Sequence, residues 1–180
     1  MSSDDAWVGK TRPYLTPRGE GEKDAWTSEA AARGRQGGQR LLEAGEVEPP
    51  DLVRAFFGLG PGELAVVRRR LILLDGKPTE LADSYYPGHI ALGTPLAEPR
   101  KIPGGAVTLL ADLGYEAAEE FEEDTVAENA SPAQCELLGL PAGKAVQVLT
   151  RFVTSTTGEP MEASVMTMTR HHRYTQRRDS

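Results

Sequence analysis

Apolar and polar positions alternate along several stretches of this chain and follow a helical spacing in others. Residues 24–33 read as a short helix stopped by Gly34. Residues 40–47 read as a strand closed by Pro49-Pro50. Over 51–59, Leu52, Val53, Phe56 and Phe57 share one helical face, and Asp51 is placed to cap it. Residues 64–74 are β-formers carrying three arginines. Asp75-Gly76 then predicts a tight hairpin turn into a strand over 78–86. The stretch 89–104 is rich in Pro and Gly and predicts a long irregular connection, a kind of segment that often carries function. A helix follows over 106–113, ended by Gly114. The acidic stretch 118–130 suits a helix by its Glu and Ala content and a strand by Thr125 and Val126. Ser131 before Pro132 opens a helix over 131–138. Strands over 145–154 and 160–169 form a second hairpin around Thr157-Gly158, and the basic tail from Arg170 is expected to fray.

Composition narrows the class. The chain has 180 residues, enough for one domain, and a formal charge of −7. Acidity argues against a surface made chiefly to grip nucleic acid phosphates. The single cysteine, Cys135, forms neither an internal disulfide nor a zinc cage. Residues 1–24 are polar and aperiodic, and no apolar run approaches the ~20 residues of a membrane helix. The reading is a cytoplasmic chain with a flexible N-terminal arm, no membrane contact, no metal and no cofactor. Adjacent histidines such as His171-His172 would point to opposite faces of a strand, which argues against joint metal ligation.

The chain also repeats itself at an offset of about 81. Phe57-Gly58-Leu59 matches Leu138-Gly139-Leu140, and Gly62, Val67 and Arg70 match Gly143, Val148 and Arg151. After one inserted residue, Gly76, Pro78 and Glu80 match Gly158, Pro160 and Glu162. Each copy is helix, short turn, strand ending in arginine, turn, and strand with glutamate. Because 118–130 precedes the second copy as 40–47 precedes the first, the repeat favours a strand there. Strand alternation puts Glu80, Ala82, Ser84 and Tyr86 on one face, Glu162, Ser164, Met166 and Met168 on the equivalent face, and Arg68 with Arg70 on theirs. Such a face is either solvated or lines a polar pocket.

The ordered set of Leu138-Gly139-Leu140-Pro141-Ala142-Gly143, Arg151 and Gly158-Glu159-Pro160-Met161-Glu162, with Asp75-Gly76-Lys77-Pro78 and Ser84-Tyr85-Tyr86-Pro87, resembles the UTRA domain. That domain is the effector-binding half of GntR-family transcriptional regulators of the HutC subfamily. Ala25-Trp26-Thr27 is similar to the Ser-Phe-Thr start of its first helix. The resemblance implies an α+β, chorismate-lyase-like fold: a six-stranded antiparallel sheet with packed helices, internally pseudo-repeated. It would span 24–174, between an arm over 1–23 and a tail over 175–180. It implies a small-molecule effector and a homodimer. The family's regulators carry a winged helix-turn-helix ahead of this domain. The polar arm here does not match one, so DNA would be reached only through a partner.

The resemblance also implies a site. Its anion-holding elements would be the backbone N–H groups of Ala25, Trp26 and Thr27, and Arg70. Ser84, Tyr86 and Glu162 would complete the polar set. Where sugar-phosphate binders carry a second arginine, a serine, a tyrosine and a further tyrosine, this chain has Ile72, Gly105, Val107 and Met168. The expectation is therefore an effector other than a sugar phosphate, more apolar, aromatic or monoanionic. Arg70 is either an anion clamp or the partner of a carboxylate on the paired strand. Glu162 is either a ligand acceptor or structural, and Glu80 is read as structural. Arg68 and Arg69 are read as solvated. Two other functions stay open: a ligand-independent dimerisation partner of a full-length regulator, and a small chorismate-lyase-like enzyme. The sequence shows no Ser-His-Asp, Cys-His or metal constellation to support the enzyme.

Overall fold

The computed structural model describes residues 7–8, 11–19, 21–170 and 172–173. The elements in chain order are β1 (Trp7–Val8), α1 (Ala25–Ala31), β2 (Gly37–Val47), α2 (Asp51–Phe57), β3 (Ala65–Leu74), β4 (Lys77–Pro87), α3 (Gly88–Ala91), α4 (Gly105–Asp112), β5 (Glu122–Asn129), α5 (Pro132–Leu138), β6 (Ala145–Thr154), β7 (Pro160–Met168) and β8 (His172–Arg173). The main sheet has six strands in the order β2-β3-β4-β7-β6-β5, all antiparallel. The two short strands β1 and β8 pair in parallel. Residues 1–6, the first part of the expected arm, and 174–180, most of the expected tail, lie outside the described residues. No helix among those described is long and apolar enough to cross a membrane.

The strand order expresses the sequence repeat. Equating β2 with β5, β3 with β6 and β4 with β7 makes the order read the same from both edges. The copies meet at the β4–β7 seam, where Asp83 lies opposite Val165, its own counterpart in the repeat. Even an irregularity is duplicated. In the first hairpin the register steps from Ile72↔Glu80 to Leu73↔Pro78, leaving Thr79 as the extra residue. In the second it steps from Val153↔Glu162 to Thr154↔Pro160, leaving Met161. The equivalent bulges bend both hairpins at the same place. Helices α2 and α5 both end on a left-handed glycine, Gly58 at φ 66° and Gly139 at φ 65°, a conformation that costs a side-chain residue energy.

Three layers result. On one face of the sheet, α2 packs through Val53 against Ala65, Val67, Tyr85 and Ala163, while α5 packs through Cys135 and Leu138 against Val146, Val148, Leu71 and Leu81. On the other face, α1 buries Trp26 and Ala30 on Ile72, Leu74 and Ala82. There Ile90, Leu96, Ile102 and Leu110 gather around Val66, Tyr86, Val153 and Met161. Gly37 permits the close approach of α1: a Cβ there would stand 3.0 Å from the Ala30 Cβ and from the Trp26 backbone oxygen. The cap of α2 is Pro50, with Asp51 inside the first turn. There its charge still meets the positive end of the helix. The acidic stretch is the edge strand β5, mostly exposed, as the repeat favours.

The 89–104 connection is more ordered than its composition predicts. It begins within α3, contains a 3₁₀ turn over Pro95–Ala97, and buries Ile90, Ala91, Leu96 and Ile102. Its anchor is Arg68, which is 6% exposed rather than solvated. The Nη1 group donates to the carbonyls of Pro95 (3.1 Å), Leu96 (3.0 Å) and Glu98 (2.8 Å), and Nη2 donates to that of Arg100 (2.7 Å). Arg69, on the opposite face, is half-exposed and pairs with Asp83 and Glu43 at 2.8 Å each.

Arg68→Ala should unpair several inward-facing carbonyls at once. At ~1–3 kcal/mol for each buried acceptor left unsatisfied, partly relieved by water, the expected loss is about 2–4 kcal/mol. Urea unfolding should show a lower midpoint with an unchanged slope. Arg68→Lys should recover only part of the loss, because one ammonium cannot span the carbonyl set.

Candidate functional site

A cavity of about 220 Å³ lies between the sheet and the elements that cover it. Its floor is the polar face of the central strands. Its walls are α1, the start of α4, and residues 11–18, which run across its mouth. Of the residues singled out in the sequence, Ala25, Trp26, Arg70, Ile72, Ser84, Tyr86, Gly105, Val107, Glu162 and Met168 all line this cavity. Thr27 is not among the lining residues. Its amide and hydroxyl both donate to the Asp24 carboxylate, at 2.8 Å each.

The floor carries one continuous hydrogen-bond relay. Arg70 Nη2 donates to Ser84 Oγ at 2.9 Å, Ser84 and Ser164 share a 2.9 Å contact, and Ser164 Oγ donates to Glu162 Oε1 at 2.7 Å. A guanidinium can only donate and a carboxylate can only accept, so the direction is fixed: Ser84 gives its proton to Ser164. Both serines are buried, and Glu162 is 8% exposed. Arg70 forms no ion pair among the described residues, and its Nε is buried without a hydrogen-bond partner. On the neighbouring strand Glu80 feels the charge of Arg70 but is hydrogen-bonded to Arg170 instead. Tyr86 closes this end of the floor. Burial, then the negative charge of Glu162, push its phenol well above the usual range.

Elsewhere the charges are matched. Arg170 Nη2 meets Glu80 Oε2 at 2.8 Å, with both side chains nearly buried, and the guanidinium carbon sits 4.4 Å from the Trp26 ring centre. Trp26 in turn donates its indole N–H to the Leu73 carbonyl at 2.9 Å. Arg151 Nε pairs with Glu123 at 2.8 Å, and the hydroxyl of Thr11 donates to the same carboxylate oxygen at 2.8 Å. Tyr14 donates to Glu29 at 2.6 Å. Burial first, and that carboxylate second, raise its pKa. The Arg18 amide donates to Thr108 on α4 at 3.0 Å. The segment over 11–18, part of the expected arm, is thus tied to α1, α4, β5 and β6.

Glu80, read as structural, also lines the cavity, as do Arg151, Ser164, Tyr14, Glu29 and Arg170, which were not among the singled-out residues. Two had a signal. Arg151 is the repeat counterpart of Arg70, and Ser164 shares a strand face with Glu162. Tyr14 and Arg170 had none, since only the tertiary path of the chain ends brings them here. His89 contacts Glu159 at 2.7 Å on the surface.

The family model for the UTRA domain matches residues 32–175, so the chain belongs to the UTRA family. The fold is that of the effector domains of GntR-family regulators. PhnF from Mycobacterium smegmatis superposes with a TM-score of 0.73 at 15% identity, over 89% of this chain and 71% of PhnF. The ligand-binding domain of a protein assigned to the GntR-family transcriptional regulators of Bordetella bronchiseptica superposes at 0.66 and 24% identity, over 92% of this chain and 96% of that domain. YydK from Bacillus subtilis superposes at 0.62 and 16% identity, over 80% of this chain and 63% of YydK. No curated protein matches the sequence.

Burial lifts the Glu80 carboxyl above its ordinary 4.5, and the charges of Arg170, Arg70 and Arg151 oppose this only in part. The native state therefore holds this proton more tightly than the unfolded chain does. As pH rises from about 4.5 through the raised folded value, the unfolded chain ionises first and stability falls. Glu80→Gln lacks that proton. Urea unfolding across the interval should show wild-type stability declining relative to the variant, with no relative change at lower pH.

Proposed function

We propose that this chain is the small-molecule-sensing domain of a HutC-type regulator, that it is not an enzyme, and that it works in the cytoplasm. Its effector is a small monoanion that also carries a hydrogen-bond donor, not a sugar phosphate. The observation that carries this reading is the state of Arg70. Arg70 lines the cavity without an ion pair among the described residues, so an anionic acceptor there would gain a charge-assisted hydrogen bond from its guanidinium. At the far end of the relay only one Glu162 oxygen has a hydrogen-bond partner among the described residues. An acceptor on Arg70 and a donor on Glu162 fit a hydroxy or amino carboxylate.

A phosphate dianion fits poorly. Arg151 and Arg170 are already neutralised by Glu123 and Glu80. The start of α1, where the family resemblance places an anion, is capped by Asp24, whose carboxylate repels a second anion. The polar contacts missing at Ile72, Gly105, Val107 and Met168 lower the affinity further.

Thermal shift and calorimetry against a metabolite panel test this reading. Hydroxy and amino carboxylates should stabilise the domain, and glucosamine 6-phosphate should not. At a hundredfold excess over Kd the stabilisation is about 2.7 kcal/mol. Arg70→Ala should weaken binding by at least about tenfold, the value of a charge-assisted hydrogen bond. Micromolar binding of the hexosamine phosphate would refute the charge assignment. A panel silent throughout would refute the sensing role.

A further inference from the structure

The α4 wall of this cavity is shared with a second one. Val107 and Glu162 line it on one side, and the same two residues line a second cavity of about 310 Å³ on the other. The second chamber is mainly apolar. Val153 and Met161, both buried, form its inner end, Leu15 and Pro17 its outer wall, and Ala111 and Tyr115 its α4 side. Besides Glu162, its one charged lining residue is Glu116, which is exposed. Water there has few partners, so an apolar group entering the chamber gains the full benefit of leaving bulk solvent.

Building on the sensing role above, the geometry points to a two-chambered site for an amphiphilic monocarboxylate. The charged head sits on Arg70 and Glu162, and the apolar tail passes Val107 to lie against Met161 and Val153. The strap over 11–18 joins the two chambers from outside. Thr11, Tyr14 and Arg18 border the first and Leu15 and Pro17 the second, so one segment covers both head and tail. The tail is a straight or aryl-terminated hydrocarbon. Val153, Met161, Ala111 and Ala117 offer no side-chain polar group to a hydroxylated one; the polar side chains of the chamber are Tyr115, the exposed Glu116 and the shared Glu162.

The test uses 2-hydroxybutanoate, 2-hydroxyhexanoate and 2-hydroxyoctanoate, below the concentrations at which they form micelles. Calorimetry on the whole chain should show Kd falling about fourfold per added methylene, the gain from burying one in an apolar site. Ala111 and Ala117 line the second chamber and not the first. Ala111→Phe and Ala117→Leu, each checked for an unchanged melting profile, should abolish most of the gain for 2-hydroxyoctanoate. They should leave 2-hydroxybutanoate within twofold of wild type. Affinity that is independent of tail length, yet lost in Arg70→Ala, would overturn the second chamber and leave the sensing role intact. A length dependence that survives both filling variants would also overturn it. Absence of binding by all three acids would overturn this assignment, and the sensing role would fall with it only if the wider panel is silent too.

Discussion

Ser84 faces Ser164 where β4 pairs with β7, and this contact lets a buried sheet face carry unlike charges. Taking a guanidinium and a carboxylate out of water costs several kcal/mol each unless fixed dipoles replace the lost hydration. A direct Arg70–Glu162 ion pair would meet that need and also consume both groups. Two hydroxyls in series meet it in part. Each transmits the polarity of its neighbour, and each charged group keeps hydrogen-bonding capacity toward the cavity. The floor is therefore held in one arrangement by its own hydrogen bonds.

The covering layers follow from the same need. The far face of the sheet is apolar enough to take α2 and α5, so the near face can be given to α1, α4 and the cavity. The three consecutive arginines of β3 illustrate the division. Alternation sends Arg69 to the far face, where it meets Asp83 and Glu43 beside Tyr85, whose phenol burial pushes up to about 12. Arg68 and Arg70 share the near face and still differ in role. Arg68 lies under the connection after β4 and spends its donors on four carbonyls, while Arg70 lies under open space.

That contrast marks the limit of what the sequence discloses. The repeat, the hairpins, the strand over 122–129 and the face carrying Arg70, Ser84 and Glu162 follow from periodicity, because each depends on residues close in sequence. Whether a polar face is solvated, roofed by backbone or left as a cavity depends on what lies above it. Arg68 read as solvated because nothing local indicates that carbonyls from 95–100 will converge on it. Residues 11–18 read as an arm because their polar, aperiodic pattern describes their own backbone, not the Glu29, Thr108 and Glu123 they reach. Thr27 lies off the cavity lining for the opposite reason. The helix start was found correctly, and the capping aspartate one turn away took its donors.

A duplicated fold should offer the same site twice, yet here the two halves differ. The repeat maps Arg70 onto Arg151 and Glu162 onto Glu80, so the open pair has a counterpart across the seam. That counterpart is closed by the chain ends: Thr11 and Glu123 occupy Arg151, and Arg170 occupies Glu80. The crossing between strands differs in the same sense. The equivalent of the Ser84–Ser164 pair is Ala82–Met166, which contains no hydroxyl and cannot carry a relay. Without it Arg151 and Glu80 need partners of their own, and charged neighbours from β5 and the C-terminal segment provide them. One hydroxyl pair in place of an apolar one thus separates the half whose arginine and glutamate are each ion-paired from the half whose arginine and glutamate are joined through Ser84 and Ser164.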